Sequence, residues 1–489
     1  MSRPNCPWKK PSMAFFHLGN TRKRQGFSGL PCAASCGGRL YPQSADCPWK
    51  KPSMAFFHLG NTRKRQGFSG LPCAASCGGR LYPQSASRVL VVTLAVVGLA
   101  GPPWSPRSLR AAEPAADVAP ADAWPLARGS LMGSGRSATL LRPPLAEAWR
   151  RDFEKSAFGA VPVIAGGTVY VGDLDGRFHA LSLADGATRW TFTVTDAGFS
   201  SAAAVSTDPD VPLVIVGDDV GLVRAFDRGS GAVRWTHETG GEISGGPTLL
   251  PTAQGLRVLV GSQDASLTCL TAADGTVVWT HSINDQIRCA PTVARSDAGD
   301  RVFLAGCDGR LHVIDAATGT EVATVEIDGP TGTTPAAADD RVFFGTEGGA
   351  FYAIDHRSAE VAWRIGGAAG QAYRSSAALA AGLAIVGSRG RAVEALAVGD
   401  GARAWRHPMR GRVDASPIVV RTTGPDGGER AAVVVADTAG TVALLDAATG
   451  DAVWEFDAGG GFSGGAAAAG DRLVLAGDDG TVWCFRGGP

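Results

Sequence analysis

Five charged residues lie next to short runs of small residues and are the side chains of this sequence best placed for binding chemistry: Glu242, Arg288, Arg374, Arg412 and Asp414. Arg288 precedes Cys289-Ala290 and Arg374 precedes Ser375-Ser376, at equivalent spots of a repeat two units apart. Guanidinium groups in that relation could hold an anion or an acidic peptide segment through charge-assisted hydrogen bonds. They could equally line a water-filled channel and pair with Glu242 or Asp414. His179, His237, His281, His312 and His356 fall on strands or strand ends without metal-ligand spacing and read as ordinary strand residues. The turns holding Asp173, Asp175 and Gly176, and Asp478, Asp479 and Gly480, could suggest calcium. Glycine supplying positive φ while aspartate caps the turn is the plainer account, so no metal ligand is expected. A Ser-His-Asp set, a phosphate loop, an HExxH helix, a CxxCH haem site and the kinase HRD and DFG motifs are all missing from the sequence. The expectation is a binding protein with no catalytic residue and no cofactor.

The elements that must position these residues are repeats. From about residue 158 the chain recurs with a period of roughly 40–49 residues, the range of propeller blades. The clearest phrase, VYVGDLDGRFHALSLADGATRW from Val169, joins a β-branched strand, a Gly/Asp turn, an alternating strand and a Gly turn leading to Trp. It returns from Val214, Val258, Val302, Val342, Ala384 and Val433, and an eighth copy from Leu473 stops before its Trp strand. Small-residue segments starting at Phe158, Ile243, Ile287, Tyr373 and Val413 precede copies of the phrase. They fit innermost strands, where blades crowd the axis and only small side chains can be accommodated. Four short strands per repeat predict an all-β, eight-bladed β-propeller of four-stranded blades. The spare strand LAEAWRRDF, residues 145–153, is expected to complete the last blade and close the ring, which removes free sheet edges.

One slot of the repeat reads Trp149, Trp190, Trp235, Trp279, Ala323, Trp363, Trp405 and Trp454. A Trp can bury about 150–250 Å², worth roughly 4–6 kcal/mol at about 25 cal/mol per Å². The seven tryptophans are therefore expected to dock each blade on its neighbour, and the junction at Ala323 to loosen first.

The first 123 residues differ in character. Residues 6–45 recur unchanged at 47–86, and residues 1–86 carry thirteen Lys or Arg against the single acid Asp46. The remainder holds 33 basic and 45 acidic residues, so the body is mildly acidic and offers no basic face for nucleic acid. The duplicated segment could be a basic arm in which Cys32, Cys36, Cys73 and Cys77 bind zinc. A CxxxC spacing is a weak signal, and an over-extended reading frame or a disordered N-terminal region is the expectation. Residues 87–101, Arg88 and then VLVVTLAVVGLAG, match a signal-peptide apolar region and are short for a membrane span, which predicts export. Residues 102–123 read as a Pro/Ala-rich linker, leaving 124–489 as the propeller.

The phrase A-x-D-x-x-T-G-x-x-x-W resembles the repeat of the quinoprotein-like (PQQ-repeat) propeller family. Asp446, Thr449, Gly450 and Trp454 match it, as do Asp315, Thr318 and Gly319; Ala225, Asp227, Gly231 and Trp235 match with Ser230 in the Thr slot. The lead-in WPLARGSLMGSG from Trp124 also looks like that of secreted members of this family. The resemblance implies one of three roles: an alcohol or sugar dehydrogenase holding the quinone with calcium over the axis, a non-enzymatic envelope scaffold, or a kinase-linked sensor. Scaffolds include the lipoprotein subunit of the outer-membrane β-barrel assembly machinery, although no lipoprotein cysteine follows the apolar run here. Dehydrogenases of the alcohol type carry adjacent cysteines, whereas Cys269, Cys289, Cys307 and Cys484 are scattered, and long inter-blade insertions are lacking. The expectation is an exported, non-catalytic, monomeric scaffold, periplasmic or extracellular and peripheral to a membrane at most. It would bind envelope proteins or peptide segments, with a PQQ-dependent dehydrogenase as the alternative.

Overall fold

The computed structural model describes residues 118–295, 299–366, 371–424 and 426–488. The duplicated basic segment, with Cys32, Cys36, Cys73 and Cys77, and the apolar segment 87–101 lie outside them. No helix among the described residues is long and apolar enough to cross a membrane.

Blade 1 shows how the repeat folds. Its strands are Val163–Ala165, Thr168–Gly172, Arg177–Ser182 and Thr188–Thr193, hydrogen-bonded in that order. The two middle strands are buried on both faces, whereas the outermost alternates exposed and half-buried residues. That difference matches a continuous apolar run inside and a period-two pattern at the rim. The turn between the middle strands is organised by Asp173, whose Oδ1 accepts from the backbone N–H groups of Asp175 and Arg177. Each outermost strand bulges one residue before the Trp slot; in blade 1 Trp190 faces Ala180 but Thr188 faces Leu181. The same shift occurs in all eight blades. A bulge of this kind re-aims the following side chain, here toward the neighbouring blade.

Eight such sheets form the ring. The eighth consists of Ala467–Ala469, Arg472–Ala476 and Thr481–Arg486, and its outermost strand comes from the other end of the propeller, Ala146–Asp152. Trp149 pairs there with Cys484, so the expected closure by residues 145–153 is what the structure contains.

Two expectations need correction. The small-residue segments run into the innermost strands but are not strand over their whole length. Hydrogen-bonded strand begins only at Val163, Thr248, Thr292, Ala378 and Ile418, and the preceding residues form turns around the axis. The glycines there are demanded by crowding: a Cβ on Gly245 would lie 2.2 Å from the Cys289 carbonyl oxygen of the next blade. The linker expected over 102–123 also ends too late, because Ala119 bridges Ser137 and Ala121 accepts a hydrogen bond from Gly470 N.

The lead-in beyond it does more than its sequence suggested. Trp124 exchanges two backbone hydrogen bonds with Ile164 in blade 1, and Pro125 O accepts from Val205 in blade 2. Leu126 and Leu131 pack against the apolar cluster shared with blade 3. Leu131, Met132, Ser134 and Gly135 carbonyls then accept from Val293, Ala337, Leu379 and Val419, the inner strands of blades 4 to 7. Arg136–Leu141 follows as an extra strand parallel to Ile418–Thr423. The lead-in thus circles the axis and satisfies inner-edge N–H groups blade by blade.

Candidate functional site at the propeller axis

The turns before the inner strands of all eight blades line an axial cavity of about 200 Å³. Its walls are mainly glycine, alanine and hydroxyl residues, among them Ser200, Ser244, Thr334, Ser376, Ser416 and Ser463. Several hydroxyls lock neighbouring blades. The backbone N–H groups of Ala290, Thr334 and Ser376 donate to the side-chain oxygens of Thr334, Ser376 and Ser416.

The lead-in supplies the floor. Ala127 lies beside Gly246 of blade 3, and the Arg128 side chain reaches across to the opposite wall. Its Nη2 donates to the carbonyls of Ala377 (2.8 Å) and Pro417 (2.9 Å) in blades 6 and 7. The chain permits this because residue 135 is a glycine: at φ +69° a Cβ would lie 2.3 Å from Arg128 Nη2. Arg128 is 4% exposed, and its Nε is buried without a hydrogen-bond partner. Burial pushes the guanidinium down to about 9, so it remains a cation at neutral pH. No carboxylate among the described residues forms an ion pair with it. Sequence reasoning missed Arg128, since nothing local distinguishes an arginine in a Gly/Ser-rich lead-in from a surface residue.

Of the five expected axis-mouth residues, Arg288, Arg374 and Asp414 line the cavity. Glu242 stands outside the lining; burial pushes its carboxyl above the ordinary range, Asp219 adds to the shift and Arg288 opposes it. Arg412 is also outside, its backbone paired with Thr438. The partners differ from those expected. Asp414 takes two hydrogen bonds of 2.9 Å from Arg389, and Arg374 lies 3.4 Å from Glu347. Arg288 donates to the Gln286 side-chain oxygen. The Arg389–Asp414 and Arg374–Glu347 pairs join side chains of separate turns, which the linear order of charges does not reveal, whereas Arg288 is held within its own turn. The cavity lining carries one carboxylate, already engaged, and no aromatic side chain. Such residues do not fit a quinone clamped between apolar planes above calcium.

The tryptophans form a second set of linkages. Trp149, Trp190, Trp235, Trp279, Trp363 and Trp405 donate through Nε1 to Leu183, Arg228, Ala272, Ala316, Val398 and Ala447 of the next blade. Each ring lies over a turn glycine of that blade. Trp454 meets the closing blade differently, edge-to-face with Phe485 at 5.4 Å. The cysteines Cys269, Cys289 and Cys484 are buried and unpaired, and burial pushes the Cys289 and Cys484 thiols up to about 12.

Eight four-stranded blades around a lined axis define an eight-bladed β-propeller of the quinoprotein-like repeat type. The chain belongs to the PQQ-repeat family whose model is described as outer membrane protein assembly factor BamB, which matches residues 142–218, 219–298, 295–425 and 389–487. Among solved structures it is similar to BamB from Moraxella catarrhalis, at 18% identity and a TM-score of 0.56 over 70% of this chain and 99% of that one. It is similar over the same shares to the computationally designed Ika8 protein (17%, TM-score 0.55) and to Saccharomyces cerevisiae Sqt1 (13%, TM-score 0.57). Likenesses this distant show the fold. No curated protein sequence matches the chain.

Proposed function

We propose that the protein is an exported, non-catalytic propeller that serves as a protein- or ligand-binding scaffold in the cell envelope. The observation that carries this reading is the construction of the axial cavity, with hydroxyl walls, a buried cation as floor and Arg288 and Arg374 at its side. A narrow polar recess with excess positive charge suits the acidic tip of an extended partner segment rather than a broad planar cofactor. The family model's description as an outer membrane assembly factor supports an envelope location and protein partners.

The test is titration of the full chain with pyrroloquinoline quinone and calcium, followed by absorbance and thermal shift. The scaffold reading expects no saturable complex and no alcohol- or sugar-dependent dye reduction. A stoichiometric complex that reduces dye would replace it with the dehydrogenase reading.

A further inference from the structure

Two of the histidines expected to be ordinary strand residues have protein partners suited to that role. His179 lies between Thr191 Oγ1 (3.3 Å) and Asp173 (3.4 Å). His356 meets the Asp339 carbonyl, and His407, a further strand histidine, meets that of Gly450. His281 and His312 are different. His281 lies on the outermost strand of blade 3, Val277–Ser282, and His312 on the third strand of blade 4, Arg310–Asp315. The ring brings their imidazoles to 6.3 Å between centroids, and Glu321 of blade 4 projects between them.

We propose that His281, His312 and Glu321 form a binding site for a borderline divalent transition-metal ion, zinc by first preference, that staples blade 3 to blade 4. One ligand atom from each residue lies within 4.8 Å of the others. Glu321 Oε1 is 2.6 Å from His312 Nδ1 and 3.7 Å from His281 Nε2. Ligands at about 2.0–2.1 Å around a tetrahedral ion stand roughly 3.3 Å apart. The two spacings to Glu321 bracket that value, and the two imidazole ligand atoms lie within 4.8 Å of each other, so side-chain rotation is what must bring the three to an ion.

Two further features are those of a ligand set. His281 Nε2 is buried without a hydrogen-bond partner, an expensive state for an imidazole nitrogen unless something else fills its lone pair. The other ring nitrogen of His312, Nε2, lies 3.1 and 3.3 Å from the two oxygens of Asp308. A carboxylate there places the proton on Nε2, fixes the ring, and turns the Nδ1 lone pair toward Glu321 and His281. In the neutral ring that lone pair faces a carboxylate oxygen at hydrogen-bond distance, so either a second proton or a metal cation must lie between them. Asp308 and His312 are each only 4% exposed, whereas Glu321 is 39% exposed, which leaves an entry path and room for a water as fourth ligand. Two imidazoles and one carboxylate favour zinc, nickel or copper over magnesium or calcium.

The test uses the full chain after chelator treatment, titrated with Zn²⁺, and with Co²⁺ as a spectroscopic reporter. Wild type is expected to take up one ion per chain more than Glu321→Gln or His281→Gln, and to gain thermal stability that both variants lack. Cobalt at this site should show visible bands assignable to nitrogen and oxygen ligands, distinct from the near-ultraviolet thiolate bands of a cysteine site. His237→Gln, at the matching strand position of blade 2, should bind as wild type does. Glu321→Gln changes an exposed side chain without altering its size, so circular dichroism should show it folded. Equal ion uptake and affinity in wild type and both variants, or no uptake by wild type, would overturn the proposal.

Discussion

Asp173 illustrates how a buried carboxylate is retained in this fold. Its side chain is fully enclosed and accepts from Ser156 Oγ, the backbone N–H groups of Asp175 and Arg177, and Arg177 Nε. Burial pushes its pKa upward, but hydrogen bonds from His179, Arg177 N and Ser156, with the Arg177 charge, outweigh that and hold it at about 2. Because the folded value lies below the ordinary carboxylate value, the stabilisation is present above roughly pH 4 and lost as pH falls through about 2. Asp173→Asn is expected to lower stability by about 2 kcal/mol at pH 7 and to flatten the acid limb between pH 4 and 2. Thermal melts across that range measure it, and an unchanged melting temperature at pH 7 would refute it. The backbone donors to Asp173, those of Asp175 and Arg177, lie within four residues of it, so its turn-capping role was legible in the sequence, while Ser156 comes from seventeen residues away. Arg128 and the His281–His312 pair were not legible, because their surroundings are assembled from separate blades.

At the scale of the element, the blade junctions follow a pairing rule. Wherever the slot holds Trp and the next blade has its turn glycine, a Cβ on that glycine would lie 2.6–2.7 Å from the ring, as at Gly186, Gly231, Gly275, Gly319, Gly401 and Gly450. Where the slot holds Ala323, the matching turn residue of blade 5 is Ala359, at φ +55°. The missing ring and the missing glycine thus coincide at one junction, where Phe303 with His356 supplies an aromatic contact at 5.2 Å. Ala323→Trp alone should destabilise by about 1–3 kcal/mol through overpacking against the Ala359 methyl. Combining it with Ala359→Gly should recover most of that loss, a coupling of about 1–3 kcal/mol in a double-mutant cycle. Strict additivity would refute the pairing. Hydrogen exchange should find the blade 4–blade 5 junction the fastest to open in wild type, and protection equal to the other junctions would count against that. Sequence reasoning found the Trp slot because it recurs in register. It missed the glycine's dependence on the ring, since the two belong to neighbouring repeats.

At the scale of the molecule, two segments from one end of the propeller hold the ring together. Ala146–Asp152 completes blade 8 and places Trp149 against blade 1, while the preceding lead-in bonds around the inner edges. Trp149→Ala should cost about 3–5 kcal/mol, and its effect should be to open the blade 8–blade 1 seam first. Exchange of the strands Thr481–Arg486 and Val163–Ala165 should accelerate more than that of blades 3 to 6. Uniform acceleration around the ring would instead mean that closure is no weaker or stronger than the other junctions.

The repeat count, the four-stranded blade, the Trp slot and the closing strand were determined by the sequence alone, because each depends on spacing and hydrophobic pattern within about one repeat. Membership of the PQQ-repeat family follows from the same local pattern. Only the tertiary structure decided where Arg128 points, which partners Arg374 and Asp414 take, and that His281 meets His312 and Glu321. Those relations depend on the angle at which one blade is set beside the next and on the path of the lead-in around the axis. Packing at blade junctions fixes both, and no repeat carries that information by itself.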